Sequence, residues 1–316
     1  MGCSIRLFGL GLALSVTLLI PSSAGAGHRY NPFTDTPQIK NHGGEMLTGK
    51  IKLAIMWYGD CGKEIKNTMR NFIKSLNFVG GSPKLKPKVA SWWEMVESYQ
   101  SLMPNAKPGK PPKISVKVAR QSSDKNSKFG KVLTLQQHVP KLIQRVTKGD
   151  LSLLPVIVGA RDITIQGVCY GRCSFCFHTE PPNPQTYIVV GNPEFECPEE
   201  CIWPFHATTY APKGPVLKPP NGNLAADAMV VSFASALVDS VTNPMRNATY
   251  HSFYSKKLGP CVVCSGIFGR GSTPGNPGLV QTDPKTGGNY NFCGYNNKKF
   301  LLPAIWNPIT NSCWTG

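Results

Sequence analysis

The chain has 316 residues and carries 34 Lys and Arg against 17 Asp and Glu, a formal net charge of +17. Such a length builds one large domain with a substantial core, or two small ones. After the first 20 residues no segment approaches 18 consecutive apolar residues, so no membrane span is expected.

Arg6 is the only charge before an apolar and small-residue run from Leu7 to Ile20, which Pro21, Ser22 and Ser23 break. Ala24-Gly25-Ala26 then offers small residues for cleavage, the pattern of a secretory signal. Fourteen residues reach about 21 Å, short of the ~30 Å hydrocarbon core that an anchor must cross. The reading is a cleaved signal over 1–26 and a single domain over 27–316, with 245–316 as an irregular C-terminal lobe.

Residues 27–48 read as an irregular lead-in. Ile51 to Tyr58 reads as a first, mostly buried strand. Ile65, Met69, Phe72, Ile73 and Leu76 recur at helical spacing. Ser91-Trp92-Trp93-Glu94 has the form of a capping box opening a short helix to about Tyr99. The Pro/Lys/Gly-rich stretch 101–112 predicts an exposed loop. Ile114, Val116 and Val118 alternate with more polar or smaller residues and predict a strand. Val139, Leu142, Ile143 and Val146 form a helical stripe, with Pro140 tolerable only in the first turn. Val156–Val158 and Tyr187–Val190 predict short buried strands. Ala225 to Val241 is the clearest later helix. Everything after Pro244 is rich in Gly, Pro, Asn and Cys and reads as held by cross-links, not by a core of its own. Strands alternating with helices argue for an α/β layer arrangement.

Eleven cysteines occur, and Cys3 leaves with the signal. The remaining ten are Cys61, Cys169, Cys173, Cys176, Cys197, Cys201, Cys261, Cys264, Cys293 and Cys313. An even set on the secretory route reads as disulfides, all ten oxidised in five bridges. Cys169-x3-Cys173-x2-Cys176-x-His178 has a zinc-like look, but zinc needs thiolates, and exported thiols are oxidised. A catalytic thiol beside His178, His206 or His251 would need an unpaired cysteine. Gly266 to Gly271 lacks the Gly-Lys-Ser/Thr of a phosphate loop. No Gly-x-Ser-x-Gly or His-Glu-x-x-His occurs. Glu199-Glu200, the closest acidic pair, is a poor acid/base couple because adjacent extended residues point apart. Asn247-Ala248-Thr249 is a glycosylation sequon at Asn247.

Between Lys107 and Lys131 there are eight Lys/Arg against Asp124 alone. Lys84, Lys86 and Lys88 add three more, and Lys107, Lys110 and Lys113 open the denser stretch. Such a field attracts polyanions. For an exported protein these are acidic polysaccharides or anionic membrane surfaces rather than nucleic acid. A solvated, solubilising face is the alternative.

An ordered set of motifs runs through the chain: His42-Gly43-Gly44, Trp57-Tyr58-Gly59, Ala90-Ser91-Trp92-Trp93, Cys197-x3-Cys201-x-Trp203-Pro204-Phe205-His206, Pro220-Asn221-Gly222, Val241-Thr242-Asn243-Pro244, Cys264-x-Gly266-Ile267-Phe268-Gly269 and Leu301-Leu302-Pro303-Ala304-Ile305-Trp306-Asn307-Pro308. It resembles the phosphate-induced, EXORDIUM-like family of plants, from about His42 to Cys313. The resemblance implies an apoplastic, wall-associated protein linked to brassinosteroid-responsive growth and nutrient status, with no settled biochemical activity. It implies family cysteines at 169, 173, 197, 201, 264 and 313. The first four would pair among themselves and Cys264 with Cys313, leaving Cys61, Cys176, Cys261 and Cys293 for two further bridges. The insertion at 101–112 and the segment after Pro244 depart from the family pattern.

A second resemblance is to relatives with a zinc-peptidase helix, His-Glu-x-x-Glu before Thr-Asp/Asn-Pro. Counting back from Thr242-Asn243-Pro244 puts Ser235 at the His position, Ala236 at the base and Asp239 at the second acid. Serine and alanine supply neither a zinc ligand nor a water-activating base. The resulting expectation is a three-layer mixed sheet with helices on both faces, degenerate zincin-like, plus an irregular disulfide-rich lobe. No catalytic residue, cofactor or metal is assigned. The expected partners are an acidic cell-wall polysaccharide, with Trp203 a candidate exposed aromatic, and an apoplastic or receptor protein. An extracellular hydrolase on wall peptide or polysaccharide, or a simple polysaccharide binder, are the other readings.

Overall fold

The apolar run at Ile51 becomes strand β1 (Lys50–Tyr58) in a computed structural model of the chain. The structure describes residues 39–82, 86–207, 214–247, 249–251 and 259–316. The expected signal, residues 1–26, lies outside the described residues, as do Lys84 and Ala248. Helices α1 (Lys63–Leu76) and α2 (Val89–Ser98) follow, then β2 (Ser115–Asp124), α3 (Val139–Thr147) and β3 (Leu153–Gly159). Next come β4 (Ser174–His178), β5 (Thr186–Val190), the long α4 (Leu224–Thr242) and the one-turn α5 (Pro260–Val263).

The five strands form one sheet in the order β2-β1-β3-β5-β4. The first four are parallel, and β4 pairs antiparallel with β5 at the edge. All residues of β3 and β5 are buried, which requires cover on both faces. The chain goes from β1 to β2 through α1 and α2, then back past β1 to β3 through α3. Right-handed crossovers in opposite directions put their helices on opposite faces. Side chains agree. Gln121 and Ser123 of β2 accept from Arg70 and Lys66 of α1, while the neighbouring Arg120 donates to the Thr147 carbonyl at the end of α3. Helix α4 joins the α1 side, packing on α1, β4 and β5.

The architecture is thus mixed α/β with a parallel-rich central sheet. Pro140 sits in the first turn of α3, where its missing N–H costs nothing. The capping-box reading at Ser91 is corrected. Helix α2 starts at Val89 with Lys88 as its cap, Ser91 lies inside the first turn, and Glu94 bonds Lys113 instead. Helix α4 has 19 residues and is apolar enough to cross a membrane by length and composition, but most of it is buried in the core. The Asn223 side chain caps it by accepting from the Ala226 N–H at 2.8 Å.

The C-terminal lobe is also corrected. Phe292, Phe300, Leu302 and Ile305 are buried in the main core, so the lobe is not held by cross-links alone. Trp92 Nε1 donates to the Pro303 carbonyl at 2.8 Å and the Tyr99 hydroxyl to that of Trp306 at 2.5 Å, stitching α2 to the lobe. Buried Asn291 bonds Phe268 and Leu302 main chain, doing inside the lobe what a longer sheet would do.

Candidate functional site

Ser232, Ser235 and Asp239 recur at three- and four-residue spacing, so they share one face of α4. That face meets two adjoining cavities of about 260 and 720 Å³, which share Gly171, Arg172, Ser174 and Val262. The opposite wall is the loop before β4 and β4 itself. The Ser174 hydroxyl donates to the Ser232 carbonyl at 2.6 Å and fixes the wall to the helix. Cys261 and Val262 of α5 line the floor of the first cavity with Trp203 and Phe268, whose rings are 5.7 Å apart. Asp239, Asn243, Arg246 and Gly259 line the second.

Asp239 is the electrostatic centre of this groove. Burial pushes its carboxyl up to about 7, and the Arg246 charge pulls in the other direction. The residue keeps some exposed surface, yet its Oδ1 is sealed and has no hydrogen-bond partner among the described residues. Gly259 explains the seal, since a Cβ there would lie 1.7 Å from that oxygen. The Cys261 thiol is raised well above its ordinary value, first by burial and then by Asp239, with a Ser235 hydrogen bond opposing. Burial and Asp239 likewise push Cys176 up to about 12. These thiols are protonated at neutral pH and poor nucleophiles.

Ser235 and Asp239, two of the three positions that the second resemblance sets against a zinc-peptidase helix, line the groove together. Ala236 is turned into the core. Neither His178 nor His206 lines either cavity. His178 stacks on Phe177 at 5.0 Å and bonds the Thr179 carbonyl; exposed His206 bonds that of Ala207. The His251 side chain lies outside the described residues. Gly259, Arg246 and Arg172 escaped the sequence reading, although Gly-Pro at 259–260 is a helix-start signal.

The cysteines form Cys169–Cys197, Cys173–Cys201 and Cys264–Cys313. The first two tie the loop before β4 to the short helices after β5, and so brace the groove wall. The expectation of five bridges is corrected: Cys61, Cys176, Cys261 and Cys293 are free. They sit on separate elements, and Cys61 is occupied close to the Tyr58 and Val158 carbonyls, 3.6 Å from each. Ligand atoms of Cys169, Cys197 and Cys201 lie within 4.8 Å of one another, but as bridged sulfurs they offer no thiolate to a metal.

The basic candidates divide. Lys86, Lys107 and Lys110 are exposed. Lys88 Nζ is spent on the Val79 and Gly80 carbonyls, and Lys113 is paired with Glu94 at 2.7 Å and Glu97 at 3.2 Å. Trp203 is half-buried in the groove and is not part of that basic stretch. Asn247 is exposed, as an acceptor for glycan must be.

The family model described as "Phosphate-induced protein 1 conserved region" matches residues 39–316. The chain belongs to this family. It is 36% identical to Protein EXORDIUM-like 6 of Arabidopsis thaliana over 300 residues, 86% of this chain and 90% of that protein. Protein EXORDIUM of the same plant is 35% identical, with 88% of each chain covered. Protein PHOSPHATE-INDUCED 1 of Nicotiana tabacum is 33% identical, again with 88% of each covered. No solved structure matches. Family membership therefore spans the sheet, the α4 groove and the C-terminal lobe alike.

Proposed function

We propose that this is a secreted, wall-associated plant growth-regulatory protein that works by binding and not by catalysis, on a degenerate zincin-like scaffold. The observation that carries the non-catalytic reading is the α4 face. Where a zinc helix needs an imidazole and a base, the groove offers Ser235 and Asp239, while Ala236 points into the core. Protonated thiols at Cys176 and Cys261 leave no activated sulfur beside them. The scaffold keeps its shape through apolar packing and three bridges, so it needs no metal to stay folded. The basic surface, including exposed Lys86, Lys107 and Lys110, holds the protein on acidic wall polysaccharide, and Asn247 carries glycan. Brassinosteroid-responsive growth is the setting the family resemblance implies, with an apoplastic or receptor protein as the partner.

One observation favours a second reading, an extracellular hydrolase. A carboxyl that lines a cavity and is pushed up to about 7 by burial is what a general acid has. Metal analysis and hydrolysis assays on peptide and pectic substrates separate the two. The binding reading expects well under one zinc per chain and no turnover. Stoichiometric zinc with chelator-sensitive turnover, or turnover lost in Asp239→Asn, establishes the hydrolase instead.

A further inference from the structure

A third cavity, of about 630 Å³, opens between α1 and the edge strand β2, away from the α4 groove. Arg70, Lys74, Phe78, Gln121 and Tyr295 line it, and no carboxylate does. Lys66, Arg70 and Lys74 follow one another at four-residue spacing, a row of cations about 12 Å long on one face of α1. Lys66 and Arg70 lie over the Trp57 ring at 5.7 and 5.8 Å, and Lys74 over Tyr295 at 5.4 Å. Their hydrogen-bond partners are neutral: Ser123 Oγ at 3.3 Å for Lys66 and Gln121 Oε1 at 2.9 Å for Arg70. Among the described residues none of the three is in an ion pair. Like charges one turn apart destabilise a helix, so an uncompensated row is a cost to the isolated chain.

The aromatic side of the trough is built. Gly294 lets the backbone turn close against α1, since a Cβ there would lie 2.3 Å from Ser75 Oγ. The next N–H, of Tyr295, donates to that same oxygen at 2.9 Å. The Tyr295 ring then meets Phe78 edge-to-face at 5.4 Å. On the strand side a bulge between Val118 and Arg120 turns Gln121 and Ser123 toward α1. Gln121 spends Oε1 on both Arg70 and Trp57 Nε1, and its Nε2 hydrogens, without a partner among the described residues, face a ligand hydroxyl.

We infer that this trough binds a segment of acidic polysaccharide, a run of uronate residues whose carboxylates meet Arg70 and Lys74 while a sugar ring rests against Phe78 and Tyr295. The inference rests on the polysaccharide-binding part of the proposed function and moves its main site away from Lys107 and Lys110. Charge complementarity selects a polyanion. The Gln121 amide beside Arg70 adds a neutral donor for the hydroxyls of a sugar acid.

The test is titration calorimetry of the full chain, at low salt, with de-esterified oligogalacturonate. An Arg70→Gln/Lys74→Gln variant and Tyr295→Ala should each weaken binding at least tenfold. Lys107→Gln/Lys110→Gln should change it less than threefold. Lys74→Arg should retain affinity, which separates a lost charge from a lost fold. Methyl-esterified oligomer should not bind. If only the Lys107/Lys110 variant loses affinity, the trough is overturned and the proposed function stands. If the unaltered chain binds no oligogalacturonate, both fall. If single-stranded RNA competes equally, the uronate assignment is overturned.

Discussion

Replacing Asp239 by Asn removes the titrating group from the α4 groove while keeping its volume beside Gly259. In the folded chain the carboxyl sits at about 7 against 3.8 for a free side chain. At about 1.4 kcal/mol for each tenfold change in proton affinity, the difference amounts to about 4 kcal/mol. Solvent reaching the exposed part of the residue brings the expected effect to about 2–4 kcal/mol. The sign follows from proton uptake. Between pH 4 and 7 the native state holds a proton that the unfolded state has released, so stability falls as pH rises through that window and levels off above it. Asp227, raised by burial to about 6, adds a slope of the same sign and remains in the variant. Urea unfolding at pH 4 and pH 8 should therefore show Asp239→Asn gaining about 2–4 kcal/mol on the parent chain between the two. Equal pH dependence in both proteins would refute a carboxyl raised by burial at Asp239.

Denatured, unreduced protein lacking residues 1–26, and with them Cys3, should show four labelled thiols, and in the native protein Cys176 should react first, because Cys61, Cys261 and Cys293 are buried. Removing Cys264–Cys313, which closes 49 residues, should cost about 4 kcal/mol by loop entropy in chemical denaturation. Removing Cys173–Cys201 alone should cost less, about 2.5 kcal/mol, because Cys169–Cys197 still closes nearly the same loop. Lys113→Glu should lower stability by about 1–2 kcal/mol in the same assay, since it strands Glu97, whose side chain is 5% exposed and holds the Ile114 N–H.

The sheet was legible where its strands are continuous apolar runs. Val156–Val158 and Tyr187–Val190 are buried on both faces and leave no alternation to misread. Strand β4 was not legible: Ser174 to His178 alternates Phe with Ser, Cys and His, and it begins inside the cysteine-dense stretch 169–176, where no strand is expected. Its role as a groove wall depends on pairing with β5, a contact that no local pattern encodes. Asp239 was found through the resemblance, but its state was not, because the seal comes from Gly259, twenty residues on. The α1 trough was hidden for a different reason. Its cations are spaced along a helix instead of clustered in sequence, so no dense run like the lysines at 107–113 marks them. The even cysteine count misled as well, since parity says nothing of whether Cys61 and Cys293 can meet.

Charge-driven retention is the claim on which the account turns, and its salt dependence tests it most directly. Affinity of the full chain for de-esterified polygalacturonate should be measured from 0.05 to 1 M NaCl, over which the Debye length shrinks to about 3 Å. Binding should fall steeply with salt and be lost near 1 M. Affinity that is unchanged across that range, or equally strong for the neutral esterified polymer, would contradict the account.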